Sequence, residues 1–237
     1  MDEGLGTLPA MSTLFNTSVR HIEEAYKILG HKLGWRFLYT PAETLSKPSS
    51  LVFLGLNPGG SKFEESQASC KKGNAYRCER WDKDERLNPL QLQVCTLFGM
   101  LAGAIGVERD LLMDRTLSGN LCPFRSSSFA NLPNGEATME FSRELWRTVL
   151  DEVKPTVIIT MGNETTRQVN LLFDQAGTVK FEPTGWGGVT YRLASATVNG
   201  RTTLLIGLPH FSRFRIFGRA SSSQFRPLLA AVKKHWA

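Results

Sequence analysis

The amino-acid sequence predicts an α/β fold: a three-layer α/β/α sandwich with a central, mostly parallel four-stranded sheet, plus an appended hairpin. Three observations favour this class. Four short apolar runs end at Gly, Pro or Asn, segments with helical periodicity lie between them, and 237 residues with 41% hydrophobic content can bury a sizeable core. Strands that alternate with helices pair in parallel, so helices should cover both faces of the sheet.

The elements are predicted in chain order. Residues 1–16 are rich in small and turn-forming types and are expected to be a flexible arm, followed by a single domain over 17–237. A first helix is predicted at 17–29, because apolar residues recur three or four apart and Thr17 can cap it. Strands are predicted at 51–56, 117–121, 156–161 and 203–208, and further helices at 89–105, 138–153 and 224–236.

Two segments stand outside this alternation. The glycine-rich stretch 185–188, with the alternating residues 189–193 and 196–203 around Asn199-Gly200, predicts a hairpin appended to the core. Residues 61–86 are charged and poor in aromatic residues, and we interpret them as an insertion on the site side of the sheet. Ligands of such sheets bind outside the carboxyl ends of the strands, so the residues that follow the strands are the functional candidates.

The positive charge is concentrated at the C-terminal end. The formal net charge is +6, yet residues 183–237 hold eight basic residues and no Asp or Glu. The preceding 182 residues hold 20 basic and 22 acidic residues. This asymmetry indicates either a surface that binds a polyanion or a solvated basic face.

Several classes of protein are disfavoured. No basic-then-apolar leader and no apolar stretch of roughly 20 residues is evident, so we expect a soluble protein in the cytoplasm, nucleoid-associated if bacterial, with no membrane partner. The spacing of Cys70, Cys78, Cys95 and Cys122 matches neither a zinc ribbon nor a secreted disulfide framework. We expect reduced thiols, no metal and no cofactor. An iron-sulfur cluster and a zinc site on Cys70, Cys78 and a histidine are minor alternatives.

The first and fourth strands end in the most informative residues. The first is followed by Asn57 within a Gly- and Pro-rich turn, which either approaches a ligand closely or is an ordinary turn. A nucleotide P-loop is disfavoured, because it needs Gly-Lys-Ser/Thr and the chain has Gly60-Ser61-Lys62. The fourth is followed by His210, then a hydroxyl, a cation and two aromatic residues, which favours a functional histidine over a structural one.

The second and third strands give weaker signals. The Asn120 amide can pair with the edge of a base and Phe124 can stack on its face, although each residue alone is more often structural. The Met161-Gly162-Asn163 string is best interpreted as a helix N-terminus.

Three motifs resemble those of one family. Gly55-Leu56-Asn57-Pro58-Gly59 is similar to the first motif of the mismatch-specific and single-strand-selective branches of the uracil-DNA glycosylases. Leu208-Pro209-His210-Phe211-Ser212-Arg213 resembles their second motif, although the family usually has His before Pro. Asn120 with Pro123-Phe124-Arg125 matches the intervening base-recognition strand. The resemblance spans about 51–214.

The resemblance implies roles for particular residues. Asn57 would position a water and His210 would stabilise negative charge at O2 of the base, as the two catalytic residues. The implied base-binding residues are Gly55, Leu56, Pro58, Gly59, Asn120 and Phe124. The implied DNA-binding residues are Phe211, Ser212, Arg213, Phe214, Arg215 and Arg219, with Phe211, Arg213 and Phe214 as wedge candidates and Arg226 a further phosphate contact. No lysine lies among these motifs, so a monofunctional enzyme that leaves an abasic site is expected.

The base and the biological setting stay open. Uracil-selective relatives have a bulky aromatic residue where this chain has Gly59, so C5-substituted pyrimidines should fit: thymine, hydroxymethyl bases or a glycosylated hydroxymethylcytosine. Defence against modified phage DNA therefore stands beside uracil repair. A monomer that binds a flipped pyrimidine nucleotide of DNA is expected. The alternatives are a non-catalytic nucleic-acid-binding module and a nucleotide hydrolase, and the latter needs a carboxylate cluster that the strand ends do not offer.

Overall fold

The computed structural model describes residues 13–45, 49–82, 86–173, 175–198, 201–218 and 222–236. The α-helices within these residues are α1 Thr13–Ile28, α2 Ala75–Cys78, α3 Pro89–Ile105, α4 Arg109–Arg115, α5 Gly135–Val153, α6 Asn163–Asn170 and α7 Arg226–His235. The strands are β1 Leu51–Gly55, β2 Leu117–Asn120, β3 Val157–Met161, β4 Gln175–Ala176, β5 Lys180–Trp186, β6 Val189–Val198 and β7 Arg201–Leu208.

The four predicted strands form a parallel block. Across the described part of the chain the sheet has seven strands in the order β2-β1-β3-β7-β6-β4, with β5 also paired to β6. In the parallel block Gly55 lies opposite Asn120, and Met161 lies opposite Leu208. The carboxyl ends of these four strands therefore meet at one edge of the sheet, which is the geometry that brings distant loops together.

The predicted hairpin forms as the antiparallel pair β6/β7, but its position relative to the core needs a correction. Strand β6 pairs antiparallel with β7 from Arg192 opposite Gly207 to Val198 opposite Arg201, so it extends the central sheet and is no appendage. Its side chains explain the difference, because Tyr191 is fully buried and stacks on Phe225 at 5.5 Å between ring centroids. The sheet is thus larger than the four strands predicted, and Asn199-Gly200 lies outside the described residues.

Alternate residues of the strands pack into two hydrophobic layers, one on each face of the sheet, which confirms the three-layer sandwich. Leu51, Phe53, Ile159 and Ile206 face one layer, which α3 and α7 cover. Val52, Leu54, Ile158 and Leu205 face the other, which α1 and α5 cover. Successive strand side chains point to opposite faces, so strands apolar at every position require cover on both sides.

The helix boundaries agree with the prediction except at their starts. Helix α3 matches it because Asn88 and Gln91 form a capping box at its N-terminus. Helix α1 begins at Thr13 rather than Thr17, since Phe15 is buried and stacks on Phe37 at 6.4 Å. Residues 13–16 of the predicted arm are therefore helical, and 1–12 lie outside the described residues. Helix α5 begins at Gly135, and α7 follows a short 3-10 turn over Ser222–Phe225.

No single helix in the described residues is long and apolar enough to span a bilayer; α3 and α4 pass that test only as a pair bent by 106°.

His31 is a buried histidine of the α1/α5 layer. Its ring is 5% exposed and stacks on Phe124 at 4.0 Å between centroids. Nε2 lies 3.0 Å from Oγ1 of Thr138, whose hydroxyl donates to the Pro133 carbonyl, so Nε2 carries the proton. Nδ1 has no partner among the described residues. Burial lowers the pKa of His31 from 6.5 to about 4, because a second proton would be buried without an acceptor.

This burial predicts an acid-sensitive fold. The unfolded chain takes up a proton on His31 below its ordinary pKa of 6.5, whereas the folded chain does so only near pH 4. Stability is therefore complete above pH 6.5 and is lost as the pH falls towards 4, by about 2 kcal/mol at about pH 5. Urea unfolding of the wild type and of His31→Gln at pH 6.5 and at about pH 5 measures this loss of stability. Identical pH dependence in the two proteins would contradict the assignment to His31.

Candidate functional site

A cavity of about 830 Å³ lies at the carboxyl edge of the parallel strands. Six of its lining residues lie at the ends of β1, β3 and β7: Leu56, Asn57 and Gly59 follow β1, Met161 is the last residue of β3, and His210 and Ser212 follow β7. The segment 61–86 contributes seven more: Glu64, Glu65, Gln67, Tyr76, Glu79, Arg80 and Trp81. Asn57 and His210, which are distant in the chain, therefore share one accessible cavity.

The Asn57 side chain is held in one orientation. Nδ2 donates to the carbonyl of Pro58 at 3.0 Å and to that of Ser126 at 3.2 Å. Two carbonyl oxygens can only accept, so the amide nitrogen must face them and Oδ1 is directed elsewhere. Oδ1 is consequently the atom with which Asn57 can accept a hydrogen bond from a ligand or water.

The His210 ring is fixed in one neutral tautomer. The Ser212 backbone N–H lies 3.3 Å from Nδ1 and the Ser212 Oγ lies 2.7 Å from it. A backbone N–H can only donate, so Nδ1 accepts and Nε2 carries the proton of the neutral ring. Burial, and then the nearby Arg213 cation, lower the pKa of His210, which keeps the imidazole neutral at pH 7. The histidine thus offers one N–H donor, at Nε2.

Asn120 reaches the cavity only through Tyr39. Its amide is 3% exposed, does not line the cavity, and donates from Nδ2 to the Tyr39 hydroxyl at 2.9 Å. The amide oxygen lies where a side chain on Gly55 would begin, because a Cβ there would be 2.3 Å from Oδ1. Gly55 and Asn120 were predicted to contact a base directly, but they lie behind the cavity wall, where Asn120 supports Tyr39. Pro58, also predicted to bind the base, is buried and does not line the cavity.

Phe124 is placed in the core, which corrects the predicted stacking role. Its ring is 0% exposed and packs against His31 at 4.0 Å and Phe141 at 5.6 Å. The aromatic surfaces that do line the cavity belong to Tyr39, Tyr76 and Trp81. An apolar side chain after a strand can point into either layer, and the sequence alone does not show which.

An aromatic and ionic wall, formed by Arg36, Tyr39, Tyr76, Glu79 and Trp81, was missed by the sequence analysis. The Arg36 guanidinium lies 4.1 Å from the centroid of the Tyr39 ring. It donates two hydrogen bonds of 2.8 and 2.6 Å to the Glu79 carboxylate, which also accepts from Trp81 Nε1 at 2.8 Å. Tyr39 stacks on Tyr76 at 5.2 Å. A signal for part of it is the stretch 35–39, in which aromatic and apolar residues flank Arg36, as is typical of a short extended segment.

The ion pair in this wall is fully ionised. Burial alone would lower the pKa of Arg36, but the hydrogen bonds to Glu79 outweigh it and the pKa is raised. Burial likewise opposes ionisation of Glu79, yet the hydrogen bonds from Arg36 and Trp81 lower its pKa. The pair carries no net charge, so the wall offers hydrogen-bonding groups to a ligand without favouring either sign of charge.

The described residues of the segment 61–86, which are 61–82 and 86, include seven that line the cavity, so this part of the segment lies on the site side, as predicted. Arg125 fastens it, because one guanidinium nitrogen donates to the Gly59 carbonyl and another to Glu64 at 2.6 Å. Although this segment contains few aromatic residues, two of them, Tyr76 and Trp81, form part of the aromatic and ionic wall of the cavity.

The loop after β7, residues 209–218, presents only some of the predicted DNA-binding residues. Ser212, Arg213 and Arg215 are exposed, and Phe214 is half-buried against Trp186 at 6.4 Å between centroids. Phe211 is 1% exposed and packs on Phe217 at 5.3 Å, so it is corrected from a wedge to a core residue. Arg219 lies outside the described residues. Arg226, at the start of α7, is exposed.

The cysteines are four free thiols, two of which lie close together. The Cys70 and Cys78 sulfurs are 3.6 Å apart, and burial, followed by its hydrogen bond to Cys78, raises the pKa of Cys70 to about 12. In the part of the chain that the structure describes, no three side chains among His, Cys, Asp and Glu are grouped to hold a metal ion. The helix N-terminus predicted at Gly162-Asn163 is confirmed as the start of α6.

Comparison with known proteins leaves the chain without an assigned family. Its sequence matches no protein-family model. No curated protein matches it either.

Proposed function

We propose that this protein is a monofunctional DNA glycosylase that hydrolyses the N-glycosidic bond of uracil or a C5-modified pyrimidine in DNA and leaves an abasic site. One observation carries the proposal: Asn57 and His210, far apart in the chain, line the same cavity and each has one hydrogen-bonding atom still available. The resemblance of the motifs around both residues to those of the uracil-DNA glycosylases supports the same chemistry.

His210 stabilises the departing base. When the bond between C1′ of the sugar and N1 of the pyrimidine breaks, the electron pair leaves with the base and negative charge develops at O2. The Nε2–H of a neutral imidazole donates to that oxygen, which lowers the barrier to bond cleavage. The backbone hydrogen bond of Ser212 to Nδ1 supports this role, because it prevents Nε2 from losing its proton to the other ring nitrogen.

Asn57 positions the water. The sugar is cation-like once the base has begun to leave, so a neutral water can attack C1′ without prior removal of a proton. Oδ1 accepts one hydrogen of this water and orients its lone pair, but an amide cannot take the proton near pH 7. The proton passes to solvent and finally to the departed base anion, which balances the hydrolysis.

The size of the cavity favours a substituted base. About 830 Å³ lies near the upper end of the roughly 300–1,000 Å³ typical of sites that enclose a drug-sized ligand. A pyrimidine nucleotide with a hydroxymethyl or glycosylated hydroxymethyl group at C5 fits this volume. The aromatic and ionic wall lines the cavity beside such a group with aromatic rings and planar hydrogen-bonding groups.

Gly59 provides a test of this specificity. A Cβ at Gly59 would meet no atom within 4 Å, so the backbone tolerates a side chain there. Gly59→Tyr should retain uracil excision but slow excision of a C5-substituted base by tenfold or more, on the order of 1.4 kcal/mol, because the ring occupies the space beside C5. Excision rates on two oligonucleotides that differ only in the target base, uracil or the C5-substituted pyrimidine, measure this preference. Gly59→Ala is the matched control. An unchanged preference in Gly59→Tyr would contradict this placement of the base.

The experiment that tests the proposed function uses a panel of oligonucleotides. Each carries uracil, a thymine mismatch, hydroxymethylcytosine or glucosylated hydroxymethylcytosine, and strand breaks are measured after alkali. Alkali-labile breaks at one of these bases are the expected result. Binding to every oligonucleotide with no break on any of them would replace the proposal with a non-catalytic nucleic-acid-binding module.

A further inference from the structure

A second cleft lies on the other side of the loop 209–218 from the candidate site. It measures about 440 Å³ and is lined by Pro89, Leu92, Gln93, Trp186, Arg215 and Phe217. The two sites share a wall: Pro89 lines the second cleft and its neighbour Leu90 lines the first. Ser212 and Arg215, within the same loop, likewise line the first and the second.

The walls of the second cleft are held in place by specific contacts. Gln93 is 7% exposed, and its amide donates to the Phe217 carbonyl at 3.1 Å and accepts from the Phe217 N–H at 2.9 Å. Trp186 lies near the tip of the β5/β6 hairpin and meets Phe214 edge-on at 78°. Its backbone N–H donates to the Thr184 hydroxyl at 3.2 Å, and that hydroxyl donates to the Val189 carbonyl.

The chemistry of the second cleft suits a flat, partly apolar group attached to an anion. Trp186, which is half-buried, contributes aromatic surface, and Leu92, which is 51% exposed, contributes an aliphatic surface. Phe217 is 3% exposed and supports the cleft from the core. Arg215 is exposed at its rim, and none of the described residues that line it is a carboxylate. A nucleic-acid base with its phosphate has this combination of a stacking face and negative charge.

We propose that the second cleft binds an unstacked base of the same DNA strand whose target nucleotide occupies the candidate site. This inference rests on the proposed function, because it requires DNA at the shared loop. The two sites flank one loop and share the start of α3, so a single strand that crosses the loop presents nearby nucleotides to both. A base of the opposite strand, left unpaired by flipping, is the other source of the same chemistry and exists only in a duplex.

The test measures binding of single-stranded oligonucleotides in which 2-aminopurine replaces one base at successive positions beside the target. Stacking quenches its fluorescence, so one position should be quenched by the wild type. Trp186→Ala should abolish that quenching and weaken single-strand binding roughly tenfold, whereas Trp186→Phe should restore most of both. Phe181→Ala is the matched control, since Phe181 is an exposed aromatic residue of the same hairpin, 60% exposed.

A second variant tests the second cleft independently of whether Trp186→Ala folds. Leu92→Glu places a carboxylate at an exposed position of the second cleft and should also weaken single-strand binding about tenfold by repelling phosphate. Ile28→Glu introduces the same charge at a residue that is 81% exposed on α1, and should leave binding unchanged.

The outcomes separate this inference from the proposed function. If Trp186→Ala and Leu92→Glu both bound with wild-type affinity and excision were intact, the inference about the second cleft would be wrong and the proposed function would stand. Trp186-dependent quenching without excision of any base would support the second cleft and refute the glycosylase. An effect of Trp186→Ala confined to duplexes would assign the second cleft to the opposite strand and overturn the inference as stated.

Discussion

His210→Ala should slow excision on the order of 10²- to 10³-fold, because the variant loses the imidazole N–H that we propose stabilises the charge developing on the base. Alanine has no side-chain donor, so nothing at position 210 replaces the Nε2–H, which the hydrogen bond from the Ser212 backbone to Nδ1 assigns in the wild type. Affinity for DNA should change little, since the exposed cations of the loop 209–218 are untouched. Single-turnover excision rates on an oligonucleotide substrate measure the first effect, and binding to an uncleavable analogue measures the second.

The control for this variant is His21→Ala, which removes an exposed histidine of α1 outside the cavity. It should leave the rate at the wild-type value. If His210→Ala weakened binding and slowed excision by the same factor, the imidazole would be a binding residue and its assignment to the departing base would be wrong.

Asn57→Ala should slow excision by about 10²-fold or more, because the attacking water is no longer held in line with C1′. The substitution also removes the hydrogen bonds to the carbonyls of Pro58 and Ser126, so the melting temperature must be compared with that of the wild type. The measurement is the single-turnover rate at saturating enzyme, at which losses of affinity do not contribute.

Asn163→Ala provides the matched control for this second variant. Asn163 is an exposed asparagine, the first residue of α6, and does not line the cavity, so its removal should leave the rate unchanged. A normal rate in Asn57→Ala with a normal melting temperature would show that another group positions the water.

The parallel block of the sheet could be predicted from the residue pattern because its signals are local. Strands β1, β3 and β7 contain short apolar runs that end at a Gly or Pro residue, β2 ends at Gly119-Asn120, and α3 carries its own capping box. The carboxyl-edge rule then placed Asn57 and His210 at the same rim from topology alone. These inferences need no knowledge of which side chains touch.

The extent of the sheet and the wall of the site could not be predicted in this way. The predicted hairpin is part of the central sheet because its second strand, β7, also pairs with β3, and Tyr191 of β6 packs against Phe225 from a distant part of the chain. Arg36 and Glu79 form an ion pair across the cavity wall, and neither residue has a neighbour in sequence that indicates the other. Long-range pairs of this kind depend on how the layers pack.

The aromatic residues show the same boundary between local and long-range information. Phe124 and Phe211 follow strands in motifs that resemble base- and DNA-binding segments, yet both are buried in the core, while Tyr39, Tyr76 and Trp81 line the cavity. Periodicity and turn residues, which act over a few positions, were enough for the fold class and for the amide and imidazole at the rim. Packing, which sums contacts from the whole chain, decided which rings are buried and what surrounds a ligand.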